Sequence, residues 1–148
     1  MGENKLWDIR AFVYQYFAET TRPPLVDETA SRFALTHEEA VSAYEELHQR
    51  HALFLKPGTH DILMANPFSG VETPFKVRAN DRTYFANCAW DTFGMPAALH
   101  VDAEIEAVCA QSGEAIRLSV TDQQVQDSDA LVHFLIPFRD WYNDLAFT

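Results

Sequence analysis

Apolar residues recur at helical spacing near the start of the chain. In residues 5–19 (KLWDIRAFVYQYFAE), Leu6, Ile9, Phe12, Val13, Tyr16 and Phe17 fall on one side of a 3.6-residue repeat. This predicts an amphipathic helix, stopped by Pro23-Pro24, since proline cannot donate to a helical ladder. Asp27 is the expected N-cap of a short second helix through Phe33. After a turn at Leu35-Thr36, Thr36 and Glu39 form a capping-box pattern that opens a third helix, with Ala40, Ala43, Tyr44 and Leu47 along one face. Leu53 to Leu55 then pairs with Ile62 to Met64 around Lys56-Pro57-Gly58-Thr59. Helices joined by a tight turn and followed by a hairpin predict a winged-helix-like helical module over residues 1–68.

The period changes after residue 68. Residues 66–74 (NPFSGVETP) hold two prolines and a glycine and read as a junction. Beyond it, apolar and polar positions alternate. FKVRAN and RTYFAN bracket a turn at Asn80-Asp81. Ala103 to Val108 and Ala115 to Val120 flank Gln111-Ser112-Gly113 as a second hairpin. Val132 to Ile136 reads as a further strand, and Phe138 to Leu145 is open between helix and loop. The fold class expected is α+β, with residues 69–148 forming a mixed β-sheet domain.

Composition narrows the partners. The 148 residues are 47% hydrophobic and 22% charged, with eleven Phe, five Tyr and three Trp to fill a core. A net charge of −11 repels phosphate backbones and anionic membrane surfaces, so neither nucleic acid nor membrane is an expected partner. The third helix sharpens this point. As a DNA reader it would present His37, Glu38, Glu39, Glu45 and Glu46, with Arg50 only at its end, where a groove reader needs cations and amides. A packing module is favoured over a winged-helix regulator. No apolar run approaches the roughly 18 residues of a membrane span, and the opening MGENKLWDIRAFVYQYF lacks the layout of a signal peptide. A cytoplasmic protein with two reduced thiols, Cys88 and Cys109, is the expectation.

The candidate chemistry lies in YFANCAWDTFGMPAALH. Cys88 and Asp91 stand three apart, so on a helical turn they share a face. A strand ends before them and Pro96 limits the helix after them, so the pair is expected at a strand-to-helix junction. Free N–H groups at a helix start favour a thiolate, whereas a neighbouring carboxylate opposes it. Alternatively, burial holds the carboxyl protonated, giving a nucleophile beside a proton donor. Taken alone, C-x-x-D is weak. A cysteine in an apolar segment is most often a small buried hydrophobe, and an aspartate there is most often a cap. No C-x₂-C pair supports a structural zinc site. Of six histidines, His48, His51 and His60 read as surface, His133 as a core residue, and His100 as the one near enough to the motif to test as a ligand. Trp90 reads as core or pocket wall.

A longer pattern adds weight. Residues 87–97, Asn87-Cys88-Ala89-Trp90-Asp91-Thr92-Phe93-Gly94-Met95-Pro96-Ala97, resemble the C-A-x-D-T-x-x-x-P-A signature of the alkylmercury lyases. Residues 108–118, with Cys109-Ala110-Gln111-Ser112-Gly113 before an apolar strand, are similar to that family's second cysteine segment. The resemblance implies an organomercurial lyase that cleaves carbon–mercury bonds by protonolysis. Cys88 would hold the mercury of the substrate, with Asp91 beside the metal handling the proton. Cys109 would be structural. It implies no resident cofactor, external thiols as acceptors of the product, a small organomercurial substrate, and hand-over of mercury to a thiol carrier or a mercuric reductase. Thiolates suit mercury because both are soft. The resemblance also implies a second catalytic cysteine immediately beyond Phe147-Thr148, where the sequence stops. The expectations for this chain are then a reading frame closed early, for instance at a selenocysteine codon, or a degenerate homologue that binds a soft metal through Cys88 without catalysis.

Overall fold

The computed structural model describes residues 2–126 and 128–143. Three helices come first: α1 (Glu3–Thr20), α2 (Val26–Phe33) and α3 (His37–Gln49). Leu6, Ile9, Val13 and Phe17 of α1 are buried, as are Ala40, Ala43, Tyr44 and Leu47 of α3, so both helices turn inward the stripes that their periodicity predicts. Phe12 and Tyr16 lie at the flank, where Phe12 meets Phe33 edge to face. Both halves of the Thr36 capping box form. Glu39 N–H donates to Thr36 Oγ1 at 3.2 Å, and Thr36 N–H donates to Glu39 Oε2 at 2.8 Å.

The start of α2 differs from expectation. Leu25, not Asp27, is its N-cap. Leucine has no acceptor to offer, so Glu28 does the capping by reaching back to the Leu25 N–H at 2.7 Å. Asp27 sits in the first turn, bonded to His37 Nδ1 at 2.6 Å. Glu28 also takes Arg22 at 2.7 Å and the Tyr16 hydroxyl, and Arg22 above all holds its carboxyl down at about 2. A lowered carboxyl contributes stability that is complete above its unfolded value and lost as the proton returns. Acid titration of the parent is expected to show this contribution fading from about pH 4.5 towards pH 2, and Glu28→Gln to lack it. Because the pair is partly solvated, its worth is under about 1 kcal/mol.

The first sheet has the order β1-β2-β3, all antiparallel, from Phe54–Leu55, Ile62–Ala65 and Phe68–Ser69. Phe54 stands opposite Met64, as the predicted hairpin requires. The segment 66–74 is more than a junction. It contains β3, and Phe68 and Ser69 are buried. Gly70 follows because the chain there passes so close to β2 that a Cβ would lie 2.2 Å from the Ile62 carbonyl oxygen.

The second sheet has the order β5-β4-β6-β7-β8, from β4 (Lys76–Ala79), β5 (Arg82–Phe85), β6 (Ala103–Val108), β7 (Ala115–Thr121) and β8 (Gln124–Val125). Every pairing among the described residues is antiparallel, so the sheet is not mixed as expected. Two-residue turns close the β4–β5 and β7–β8 hairpins, and antiparallel neighbours need no crossover. Asn80 and Asp81 both adopt positive φ (50° and 58°), the requirement of a tight hairpin turn that asparagine and aspartate tolerate best. Residues 132–136, expected as a strand, form none; the short 3₁₀ segment Phe138–Asn143 comes after them. Residues 144–145, the end of the segment left open between helix and loop, lie outside the described residues.

One apolar cluster joins the helices to both sheets, running from Leu6, Val13 and Phe17 through Leu53, Ile62 and Phe68 to Val77, Tyr84, Ile105 and Val120. Phe17 stacks on Phe68 with centroids 5.3 Å apart, and Phe68 tilts against Tyr84 at 5.6 Å. The Tyr84 hydroxyl donates to the Ala18 carbonyl at 2.7 Å, which keeps its polar end satisfied inside the core.

Candidate functional site

β5 carries the chain to the site. Ala86 makes an isolated antiparallel bridge to Phe68, and the chain bends at the next two residues. Cys88, extended at φ −149° and ψ 177°, is the N-cap of α4 (Ala89–Leu99). The strand-to-helix junction expected from sequence is therefore the local geometry. Pro96 does not end the helix. It lies inside it, buried, and its carbonyl accepts the N–H of His100, whose left-handed conformation closes the helix. Thr92, also buried, turns its hydroxyl back to the Ala89 carbonyl at 2.6 Å. α4 packs against β4 and β6, which fixes the direction in which its first turn points.

Cys88 and Asp91 share that first turn and are both half-buried. Burial pushes the Cys88 thiol up, and the Asp91 charge pushes it further; the N–H groups of Asp91 and Trp90 pull the other way. Burial likewise pushes the Asp91 carboxyl up, against hydrogen bonds from Asn87 and Cys88. Each group is thus held towards its neutral form. The push on Asp91 runs in the direction of the protonated-carboxyl alternative, whereas the push on Cys88 runs against a thiolate.

Two neighbours carried no role in the sequence reading. Asn87 is one. Its Nδ2 faces four oxygens: Asp91 Oδ2 at 3.1 Å, Asn66 Oδ1 at 3.2 Å, and the carbonyls of Phe68 at 3.2 Å and Pro67 at 3.3 Å. The other is Tyr14 of α1. Arg10 donates to its hydroxyl at 3.2 Å and lies 4.5 Å over its ring. Burial raises the Tyr14 hydroxyl, Arg10 lowers it, and the charge of Asp91 adds a small push upward, so Tyr14 lies within range of the Asp91 charge. The only signal for Asn87 was a polar residue between a strand end and a cysteine. For Tyr14 there was none, since a tyrosine on the flank of an amphipathic helix is ordinary.

The remaining candidates stand apart. Trp90 is 59% exposed, so it is not core; it faces Phe134 at 6.2 Å, and Phe134 stacks on Trp141. His100 is exposed at the opposite end of α4, roughly 16 Å of helix away from Cys88. His133 is exposed rather than a core residue. Cys109 opens the turn between β6 and β7, with its N–H on Glu114 and its carbonyl taking Gly113. Ser112, through its hydroxyl and N–H, holds the Cys109 thiol below its ordinary value. Register aligns Phe85, Lys76, Glu106 and Arg117 across the sheet, so Cys109 lies at the same sheet end as Cys88 but two strands across. Among the described residues, no three His, Cys, Asp or Glu are grouped so as to hold a metal ion, and no helix is long and apolar enough to cross a membrane.

No curated protein matches the chain. Among solved structures, the crystal structure of the mercury-bound form of MerB2 superposes with a TM-score of 0.68 at 20% identity, over 86% of this chain. This chain spans 60% of the length of that one. At such identity the likeness is one of fold. The family model described as alkylmercury lyase matches residues 68–148, more than half of the 148 residues and the part that holds Cys88, Asp91 and Cys109. The chain belongs to the alkylmercury lyase family.

Proposed function

We propose that the chain acts on small organomercurials by protonolysis of the carbon–mercury bond. The observation that carries this reading is the half-buried first turn of α4, which sets the Cys88 thiol and the Asp91 carboxyl in hydrogen-bonding contact. A thiol exchanges its proton for the mercury of R–Hg–X, forming Cys88–S–Hg–R and releasing HX. The carbon–mercury bond then breaks with its electron pair going to carbon, and that carbon takes a proton from Asp91, leaving as R–H. Mercury(II) stays behind on sulfur, beside the carboxylate that the proton has left. Thiols from solution complete its coordination and remove it, to a thiol carrier or a mercuric reductase. Burial pushes the Asp91 carboxyl up, which favours its carrying a proton in this step. In this reading residues 1–68 serve as a winged-helix-like packing module and residues 69–148 carry the chemistry; reduced thiols suit a cytoplasmic setting.

A second reading is binding of a soft metal through Cys88 without catalysis. It is favoured by the fact that Cys88 has one carboxyl and no second thiol in its own turn. One experiment separates the two. Phenylmercury is supplied with excess thiol, and benzene and bound mercury are both measured. The parent is expected to release benzene and Cys88→Ala to release none above buffer. Mercury bound through Cys88 without benzene supports the binding reading. Equal benzene from parent and variant removes the lyase reading.

A further inference from the structure

Asn87 is more than a neighbour of the reactive pair. Its side-chain amide lies between α4 and the turn that links β2 to β3. On one side is Asp91 Oδ2; on the other are Asn66 Oδ1 and the carbonyls of Pro67 and Phe68, all four oxygens 3.1–3.3 Å from Nδ2. This fixes which way round the amide sits. The opposite orientation would set Oδ1 against four oxygens with no proton between them. In the orientation adopted, Oδ1 is buried without a hydrogen-bond partner among the described residues. An unmatched buried amide oxygen is costly, so what Nδ2 holds outweighs the oxygen left without a partner. The anchor is firm. Phe68 is in the core, β3 is paired to β2, and Pro67 touches α4 again through Gly94, where an added Cβ would stand 3.3 Å from Pro67 Cβ.

We propose that Asn87 is a positioning residue for Asp91, tying one carboxyl oxygen to the β2–β3 turn so that the other stays turned towards the space above Cys88. Asp91 has two torsions that the helix backbone leaves free. With Oδ2 pinned, the remaining oxygen is the one available to deliver a proton. Asn87 acts only through Asp91 and touches neither sulfur nor substrate. The idea rests on the reading of Asp91 as proton donor, and its test is arranged so that the two can fail separately.

The first measurement is the side-chain amide signal of Asn87 in the ¹⁵N spectrum of the whole chain. It is expected to be resolved and to move when Asp91 becomes Ala, while the asparagine amides outside the Asn87–Asn66 contact stay in place. A spectrum in which the Asn87 amide ignores Asp91→Ala overturns the clamp, whatever the activity. The second uses phenylmercury with excess thiol. Asn87→Ala is expected to lose about 10–100-fold in kcat with little change in KM, and to take up mercury at Cys88 as the parent does. Asn87→Asp, equal in shape but without the donor, is expected to fare no better. Asn66→Ala, which loosens only the anchor, is expected to fall between. If the parent releases benzene and Asn87→Ala matches it in kcat, positioning is overturned. A parent that releases none removes the lyase reading, and the amide signal then decides the clamp. Should Asn87→Ala not fold, Asn66→Ala and the Asp91→Ala spectrum carry the same decision.

Discussion

Asp91→Asn is expected to take up phenylmercury at Cys88 as the parent does, and to release benzene about 10²–10⁴-fold more slowly, the range a positioned general acid contributes. The substitution keeps the shape and the contact to Asn87, since an amide oxygen can accept where Oδ2 did. It removes the proton. Uptake and release are therefore expected to part company, with mercury remaining as Cys88–S–Hg–phenyl. Mass spectrometry of the intact chain reads that adduct directly, and benzene release reads the second step. A variant that releases benzene at the parent's rate excludes Asp91 from the proton step.

The same substitution is expected to raise the melting temperature at neutral pH. Burial lifts the Asp91 carboxyl above its unfolded value. The folded state therefore binds its proton more tightly than the unfolded chain. Stability linked to that proton is complete below the unfolded value and lost as pH rises through the folded one. Asparagine does not titrate, so the difference between variant and parent is expected to widen with pH. Above the folded value it is constant.

Phe17→Ala is expected to cost about 3–5 kcal/mol, the range for removing a buried aromatic ring. Phe17 is 1% exposed and lies flat on Phe68. Total stability of a domain is only about 5–15 kcal/mol, so chemical denaturation is expected to show a large fall in midpoint. The loss reaches the site, because Phe68 anchors the turn that Asn87 grips. Phe17→Leu keeps most of the volume and is expected to lose much less. Equal midpoints for Phe17→Ala and the parent mean the stack does not support the core.

How far the sequence reveals this depends on the range of each interaction. The stripes of α1 and α3, the Thr36 box and the Asn80-Asp81 turn all arise from residues within a few positions of each other, and they were legible. So was the position of Cys88 at a strand-to-helix junction. The mixed sheet was an error of pairing. Alternation marks a strand without saying which way its neighbour runs, and residues 132–136 alternate no better than their surroundings. The Asp27 cap failed because a carboxylate three residues on from Leu25, that of Glu28, can do from inside the helix what a cap does from outside. Pro96 looks like a stop in the sequence, yet α4 runs on past it to Leu99, because proline removes one N–H from the helical ladder without preventing the next residues from adopting helical angles. Asn87 and Tyr14 were out of reach for another reason. Their partners lie far along the chain, and nothing in their own neighbourhood marks the meeting.

That distance has a bearing on synthesis. The Tyr84 hydroxyl closes on a carbonyl 66 residues earlier. At translation speeds of about 5–20 residues per second, roughly 3–13 s separate the emergence of the two. Throughout that interval α1 is already outside the ribosome, and its Ala18 carbonyl lacks the Tyr84 hydroxyl that closes on it. The helix therefore waits for part of its partner surface until the turn that holds Cys88 and Asp91 is about to be made, and a chaperone that holds amphipathic helices would meet this protein at α1.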